Sequence, residues 1–272
     1  MPSKTDFNVS PYFDDFDKDK KFHRVMYRPA FAVQARELTT QQSILQNQLE
    51  LLGDSLYKHG SMVIPGEATY DLNHFSIKLT SFTGTLANLT GTVITGGTSG
   101  VTATVKSVVA TDGIDPDTLF VKYNNSGTDN VSASFTDGET LSSTSATNET
   151  AVVSSSHTGS AAFIEAGTYY INGFFVEVEA QSLILDKYTN TPDYRVGLTV
   201  TENFITSTDD TSLLDNAQGS SNANATGAHR FKIILTLAKL SLTSTADSGF
   251  VETFRLKKGK LQNRPIDDVR TS

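Results

Sequence analysis

The sequence contains no cysteine and no tryptophan. Without cysteine there is no disulfide bond, no thiolate ligand for zinc and no thiol nucleophile. A secreted β protein with a surface rich in serine and threonine often carries disulfides, so the missing cysteines favour assembly in a reducing cytoplasm. We therefore expect packing and hydrogen bonds alone to hold the chain together.

Long apolar runs and a basic face are also missing. No apolar run approaches the roughly 18 residues of a membrane helix, and the N-terminal residues lack the apolar core of a signal peptide. Of the 272 residues, 19% are charged, and the net charge is −8. The short basic patch Lys257, Lys258 and Lys260 is followed by Asp267 and Asp268. We expect a soluble chain with no membrane partner and no nucleic-acid partner, because binding to nucleic acid requires a basic face.

Motifs for catalysis and metal binding are absent from the sequence as well. The histidines show neither an HExxH pattern nor a pair four residues apart: His23, His59, His74, His157 and His229. Residues 14–20, DDFDKDK, resemble a calcium loop but lack its glycine and its terminal glutamate. Residues 96–100, GGTSG, join two β runs and precede no helix that would receive a phosphate. The sequence therefore predicts no enzyme activity, no catalytic residue, no metal and no cofactor.

One stretch, residues 38–60, has a strong helical period. Thr39 and Gln42 match a Thr-x-x-Gln capping box at its start, and Gly60 suits the left-handed residue after its end. The spacing of its apolar positions is that of a coiled-coil seam with one polar member: Leu38, Gln42, Leu45, Leu49, Leu52 and Leu56.

Two interpretations of this helix stay open. Either it lies on its own β-domain, or equivalent helices of two or three chains share the leucine seam. Two and a half heptads are short for an independent coiled coil, but a buried Gln42 fits pairing across a symmetry axis. We favour self-association into a dimer or trimer. Tyr12, Phe13 and Phe16 belong to an aromatic segment without helix or strand period, which predicts an arm that joins the same interface. The alternative for this segment is ordinary packing on its own domain.

The pattern of the rest of the chain predicts short β-strands and turns. Asn172-Gly173 between two β runs is a strong hairpin signal, and the alternation in residues 229–242 predicts a central strand. The fold class predicted is mainly β with one long N-terminal α-helix, an antiparallel β-sandwich-like domain and an inserted small β-domain. The predicted divisions are an extended arm (1–34), the oligomerisation helix (35–60), the main β-domain (61–82 and 161–261), a Ser/Thr/Gly-rich insert (83–160) and a C-terminal tail (262–272).

Residues 12–66 resemble the N-terminal signature of a family of structural proteins from tailed bacteriophages. The landmarks include the run Val33-Gln34-Ala35-Arg36-Glu37-Leu38 and the run from Gly60 to Gly66, and the stretches 167–173 and 226–234 match too. The resemblance skips the insert 83–160. It implies an oligomeric virion component at the baseplate or the tail-fibre attachment region, without enzyme activity.

The leading hypothesis is thus a structural tail protein, assembled in the host cytoplasm and located in the virion tail. Its expected partners are further copies of itself and other tail, baseplate or fibre proteins. The alternative is a module that binds host-surface glycans through the insert or through tyrosines on the strands, since aromatic rings stack on sugars. The tyrosines that support this alternative are Tyr169, Tyr170, Tyr188 and Tyr194.

Overall fold

The computed structural model describes residues 5–146, 148–245 and 248–263. Strands take up 44% of the chain and helices 13%, so the protein is mainly β, with one long helix and antiparallel sheets, as the sequence predicts. The helix α1 spans Ala35–Leu56. The strands are β1 (Met62–Ile64), β2 (Ala68–Thr83), β3 (Val93–Gly96), β4 (Thr102–Val109), β5 (Thr118–Asn125), β6 (Thr140–Ser143), β7 (Thr150–Ile164), β8 (Gly167–Ile171), β9 (Phe174–Val178), β10 (Gln181–Asp186), β11 (Tyr194–Ile205), β12 (Arg230–Ser241), β13 (Phe250–Lys257) and β14 (Lys260–Asn263).

The largest sheet closes into a barrel. Its strand order is β10-β7-β2-β5-β4-β3-β6, and β6 pairs with β7 as well, so that six strands form a ring with β10 attached outside it. All of these pairings are antiparallel. Closure leaves those six strands without free edges. Buried apolar side chains such as Leu119, Val105 and Val153 form the barrel's core.

Two long strands join the barrel to the rest of the molecule. β2 and β7 pair from Ala68 with Ile164 at one end to Thr83 with Thr150 at the other. Ile77 and Leu79 of β2 belong to the barrel core, whereas Ile164 of β7 belongs to a second core. The barrel is therefore built from strands of the 83–160 region together with parts of β2 and β7.

The second core is enclosed by the two smaller sheets and by the part of β2 and β7 where Ala68 pairs with Ile164. One sheet has the order β1-β8-β9 and the other the order β12-β11-β13-β14. Asn172 and Gly173 form the β8–β9 turn with φ of 49° and 88°, which confirms the predicted hairpin. Among the fully buried side chains of this core are Val196, Leu198 and Phe254.

The strand predicted to be central in residues 229–242 lies at the edge of its sheet. β11 is the central strand, since it pairs with both β12 and β13. The prediction was wrong because alternation of apolar and polar residues shows that one face of a strand is buried. It does not show whether the strand has a neighbouring strand on one edge or on both. The outer edge of β12 is partly capped by Gln181, whose amide donates to the Leu235 carbonyl oxygen at 2.9 Å and accepts from the Leu237 N–H at 2.8 Å.

The bounds of α1 also differ from the prediction. The N-cap is Gln34, whose N–H donates to Glu37 Oε2 at 2.9 Å, while the Thr39 hydroxyl donates to the Arg36 carbonyl oxygen inside the first turn. The helix ends at Leu56, and Gly60, with φ of 88°, lies in the turn that leads into β1. No helix in the described ranges is long and apolar enough to cross a membrane.

Candidate interaction surface

Helix α1 packs on the β8–β9 hairpin through its polar face. Gln46 Nε2 donates to the Gly173 carbonyl oxygen at 2.8 Å. The Tyr170 hydroxyl lies 3.0 Å from the Glu50 carbonyl oxygen and 2.9 Å from Asp54 Oδ1. Ile44, Glu50 and Gly53 are buried on this side of the helix. The helix is therefore held to its own domain by hydrogen bonds as much as by apolar contact.

Two glycines allow the helix and the hairpin to approach closely. A Cβ atom placed on Gly53 would lie 2.4 Å from Cε2 of Tyr170, and one on Gly173 would lie 2.9 Å from Cγ of Glu50. Both distances are below normal van der Waals contact, so a side chain at either position would push the helix away from the hairpin. The close contact fixes which face of the helix points inward.

The N-terminal arm occupies another part of the same polar face. Asp14, which is buried, accepts hydrogen bonds from the hydroxyls of Thr40, at 3.0 Å, and Ser43. Lys18 Nζ lies 3.3 Å from Glu50 Oε1 in an ion pair. The superficial calcium-loop sequence thus contributes Asp14 to a helix contact. In the part of the chain that the structure describes, no group of three or more His, Asp or Glu residues could hold a metal ion.

The opposite face of α1 exposes the five leucines predicted to form the seam, here called the leucine stripe. Each is about half exposed: Leu38 53%, Leu45 58%, Leu49 51%, Leu52 58% and Leu56 47%. Gln42 is exposed within the stripe. Large apolar side chains aligned along one face and left in water are a typical feature of an interaction surface.

The outward face of the helix carries no charge between Leu38 and Leu56. The other exposed residues there are Gln41, Gln48, Leu51 and Ser55. The two acidic residues of this part of the helix, Glu50 and Asp54, contact Lys18 and Tyr170 on the inner side. An ordinary solvated surface has about a quarter to a third of its residues charged, and depletion of charge is characteristic of the core of an interface.

The three arm residues predicted to join the interface lie in different environments. Tyr12 packs within its own chain, with its ring 4.9 Å from that of Phe204 and its hydroxyl 2.7 Å from Nδ1 of His229. Phe16 is half-buried, and Phe13 is 56% exposed. Of the three, Phe13 is the one most available to a partner.

A second group of exposed apolar residues lies in residues 17–34, within the aromatic arm that the sequence predicts. The Tyr27 hydroxyl donates to Gln41 Oε1 at 2.6 Å, which places this segment beside the leucine stripe. The density of aromatic residues among charges is the signal that predicts this arm. The exposed members of the group are Phe22, Met26, Tyr27, Phe31 and Val33.

The strand tyrosines considered for sugar stacking are engaged inside the fold. Tyr169 and Tyr170 are 3% and 1% exposed, so neither ring is accessible to a glycan. The ring of Tyr188 has Lys78 Nζ 3.8 Å from its centroid, and that of Tyr194 has Lys239 Nζ at 4.7 Å. The strands therefore offer no open tyrosine platform at these positions.

The chain matches the model of a family described as a domain of unknown function, DUF4815, over residues 10–130 and 124–267. These two ranges take in most of the chain, which belongs to this family. No curated protein and no solved structure matches it.

Proposed function

We propose that this DUF4815 chain is a structural subunit that assembles with copies of itself through the leucine stripe, as a component of a phage tail at the baseplate or the tail-fibre attachment region. One observation carries the self-association. The helix docks on its own domain through its polar face and leaves five leucines in water. A helix that served only its own domain would direct those leucines inward.

The free energy available from the stripe is of the size that association requires. Full burial of a leucine contributes roughly 1.5–3 kcal/mol, and each of the five is about half exposed, so one helix offers roughly 4–7 kcal/mol. Two helices that bury each other double this figure. The total is comparable with the estimated cost of about 4–15 kcal/mol for bringing two molecules together.

The partner that fits this stripe is a second copy of the same chain. A four-three repeat of leucines packs on an identical repeat by inserting each side chain between four residues of the facing helix. The outward face carries no charge, so two copies meet there without repulsion although the chain has a net charge of −8. Gln42 of each copy would find its hydrogen-bond partner in the other.

The proposed location in a phage tail rests on a sequence resemblance to a family of virion proteins. The residues that carry it are 12–66, 167–173 and 226–234. The stretches that carry the resemblance are neighbours in space. Met62 pairs with Tyr169 across β1 and β8, and Tyr12 bonds to His229. These contacts between separate matching stretches support the interpretation that the stretches belong to one structural unit.

Light scattering on two double variants tests the self-association. Leu45→Asp with Leu52→Asp places two carboxylates in the stripe, and we expect it to give a monomer. The control, Asn125→Asp with Ser126→Asp, adds two carboxylates at exposed positions at the end of β5, away from the helix. It should keep the oligomer. An oligomer that survives in the stripe variant would mean that the contact lies elsewhere.

The proposed location is tested separately. Mass spectrometry of purified particles of the phage that encodes the chain should recover its peptides at a fixed ratio to other tail proteins. Absence of the chain from intact, tailed particles would contradict a virion role and leave the self-association standing.

A further inference from the structure

The first described residues of the arm, 5–16, form an anchor segment that lies in an aromatic groove. The ring of Phe7 meets the rings of Phe204 and Phe231 edge-on, with centroids 5.9 and 5.0 Å away. Tyr12 lies over Phe204 at 4.9 Å and bonds to His229. Pairs of this kind contribute about 0.5–1.5 kcal/mol each beyond the area they bury. The groove thus recognises this segment by specific contacts.

Polar contacts fix the two ends of the anchor segment. At one end, Thr5 donates to Glu202 Oε2 from its N–H at 3.1 Å and from its hydroxyl at 2.5 Å. At the other end, Asp14 accepts from Thr40 and Ser43 of the helix. Clefts of about 570 and 270 Å³ remain beside the segment. It is therefore attached at discrete points rather than packed along its whole length.

The connection that joins the anchor segment to the helix, residues 17–34, is largely exposed. It is tied down by Lys18 to Glu50 and by Tyr27 to Gln41. Its apolar side chains face water: Phe22 63%, Met26 77%, Phe31 62% and Val33 52% exposed. A polar loop would serve equally well as a simple tether, so these side chains point to a state in which the connection is covered.

The connection is long enough to reach a neighbouring subunit. Its eighteen residues span at most about 60 Å when extended. Two helices packed through the leucine stripe would lie about 8–10 Å apart. The neighbour's groove is therefore within reach of the anchor segment once the helices associate.

We propose that in the oligomer the anchor segment of each chain docks in the aromatic groove of a neighbouring copy. This inference rests on the proposed self-association. The exchange conserves every contact of the segment, because the neighbour's groove is identical. It adds burial for the connection, which then crosses the subunit interface beside the stripe. The occupant is a second copy because the groove already fits this segment of this chain.

The absence of cysteine makes the exchange directly measurable. Two full-length chains with different tags are co-expressed, one carrying only Thr5→Cys and the other only Glu202→Cys. The mixed oligomer is then treated with the thiol reagent bis-maleimidoethane. Exchange predicts a cross-link between the two tags, because the two cysteines meet only when they belong to different chains. A second pair, Asp14→Cys and Ser43→Cys, repeats the test at the other end of the segment.

Two controls complete the design. Thr104→Cys and Asn124→Cys, whose side chains hydrogen-bond across the barrel at 3.2 Å, should give no cross-link between chains. Chains that carry both members of an anchor pair report occupation within one chain. An oligomer by light scattering in which only these double-cysteine chains cross-link, each within itself, would overturn the exchange and leave the self-association intact. A monomer would overturn both proposals.

Discussion

The ring of Tyr170 lies directly against the backbone of Gly53, where any Cβ atom would be 2.4 Å from the ring. The tyrosine hydroxyl reaches the Glu50 carbonyl oxygen, about one turn earlier, and the carboxylate of the adjacent Asp54. This contact places the polar face of the helix on the hairpin. The leucine stripe faces water as a consequence.

Gly53→Val should destabilise the protein. Tyr170 is 1% exposed, and a Cβ atom on Gly53 would lie 2.4 Å from its ring, so overpacking should lower the free energy of unfolding by about 1–3 kcal/mol. Denaturant unfolding measures the loss. Ser55→Val on the exposed side of the same helix is the control and should change stability by less than about 0.5 kcal/mol. Equal effects of the two variants would refute the close contact.

Tyr170→Phe should weaken helix docking without disturbing its packing. The Asp54 carboxylate and the Glu50 carbonyl oxygen lose a donor, which should cost about 1–3 kcal/mol in unfolding free energy. Tyr27→Phe is the matched control, because its hydroxyl bonds to Gln41 at an exposed position. We expect a loss of less than about 0.5 kcal/mol there. If Tyr170→Phe left the free energy of unfolding unchanged, the hydroxyl would contribute nothing to docking.

Asp14→Ala should loosen the anchor segment. The hydroxyls of Thr40 and Ser43 lose their buried acceptor, at a cost of about 1–3 kcal/mol. Amide hydrogen exchange in residues 7–16 should then rise about 5- to 150-fold, while exchange in the barrel stays unchanged. Asp19→Ala, at an exposed position on the same arm, should leave exchange as it is. Unaltered protection in the Asp14 variant would argue against this attachment.

Glu139→Gln should destabilise the barrel in a pH-dependent way. Burial raises the pKa of Glu139, but the N–H groups of Ser99, Thr136 and Thr98 and the Ser99 hydroxyl outweigh it, so the pKa lies below its ordinary value of 4.5. A carboxyl group with a lowered pKa stabilises the folded state above about pH 4.5, and this contribution is lost as the pH falls through the folded-state value.

The free energy of unfolding of the variant should therefore be about 1–3 kcal/mol lower than that of the parent at pH 7. The difference between the two proteins should be smaller at pH 3. Thermal or denaturant unfolding at both values measures it. Glu177→Gln on the exposed face of β9 serves as the control, with little change at either pH. A gap of the same size at pH 7 and pH 3 would contradict the role assigned to the carboxylate.

Local features of the fold were predictable from the sequence, because their causes are local. The Asn172-Gly173 turn needs two residues that accept positive φ, and the alignment of the leucines on one face of the helix follows from their spacing alone. The N-cap was wrongly assigned to Thr39, because Gln34 and Glu37 form a capping box one turn earlier than the Thr-x-x-Gln pattern. Closure of the barrel depends on pairing between β6 and β7, and no local pattern specifies such a partner.

The orientation of the helix is the part of the candidate site that the sequence could not decide. Amphipathicity alone allows the leucines to face the domain or a partner. The choice depends on Gly53 meeting Tyr170, two residues from distant parts of the chain whose contact leaves no periodic signal. The same holds for Tyr12, which meets His229 and Phe204 within one chain.

The central claim is that the chain associates with itself through the leucine stripe, and the mass of the unmodified full-length chain in solution tests it most directly. Size-exclusion chromatography with light scattering, repeated over a range of micromolar concentrations, gives that mass. The account predicts two or three times the chain mass of 29.4 kDa. A well-folded species of 29.4 kDa at every concentration would contradict it.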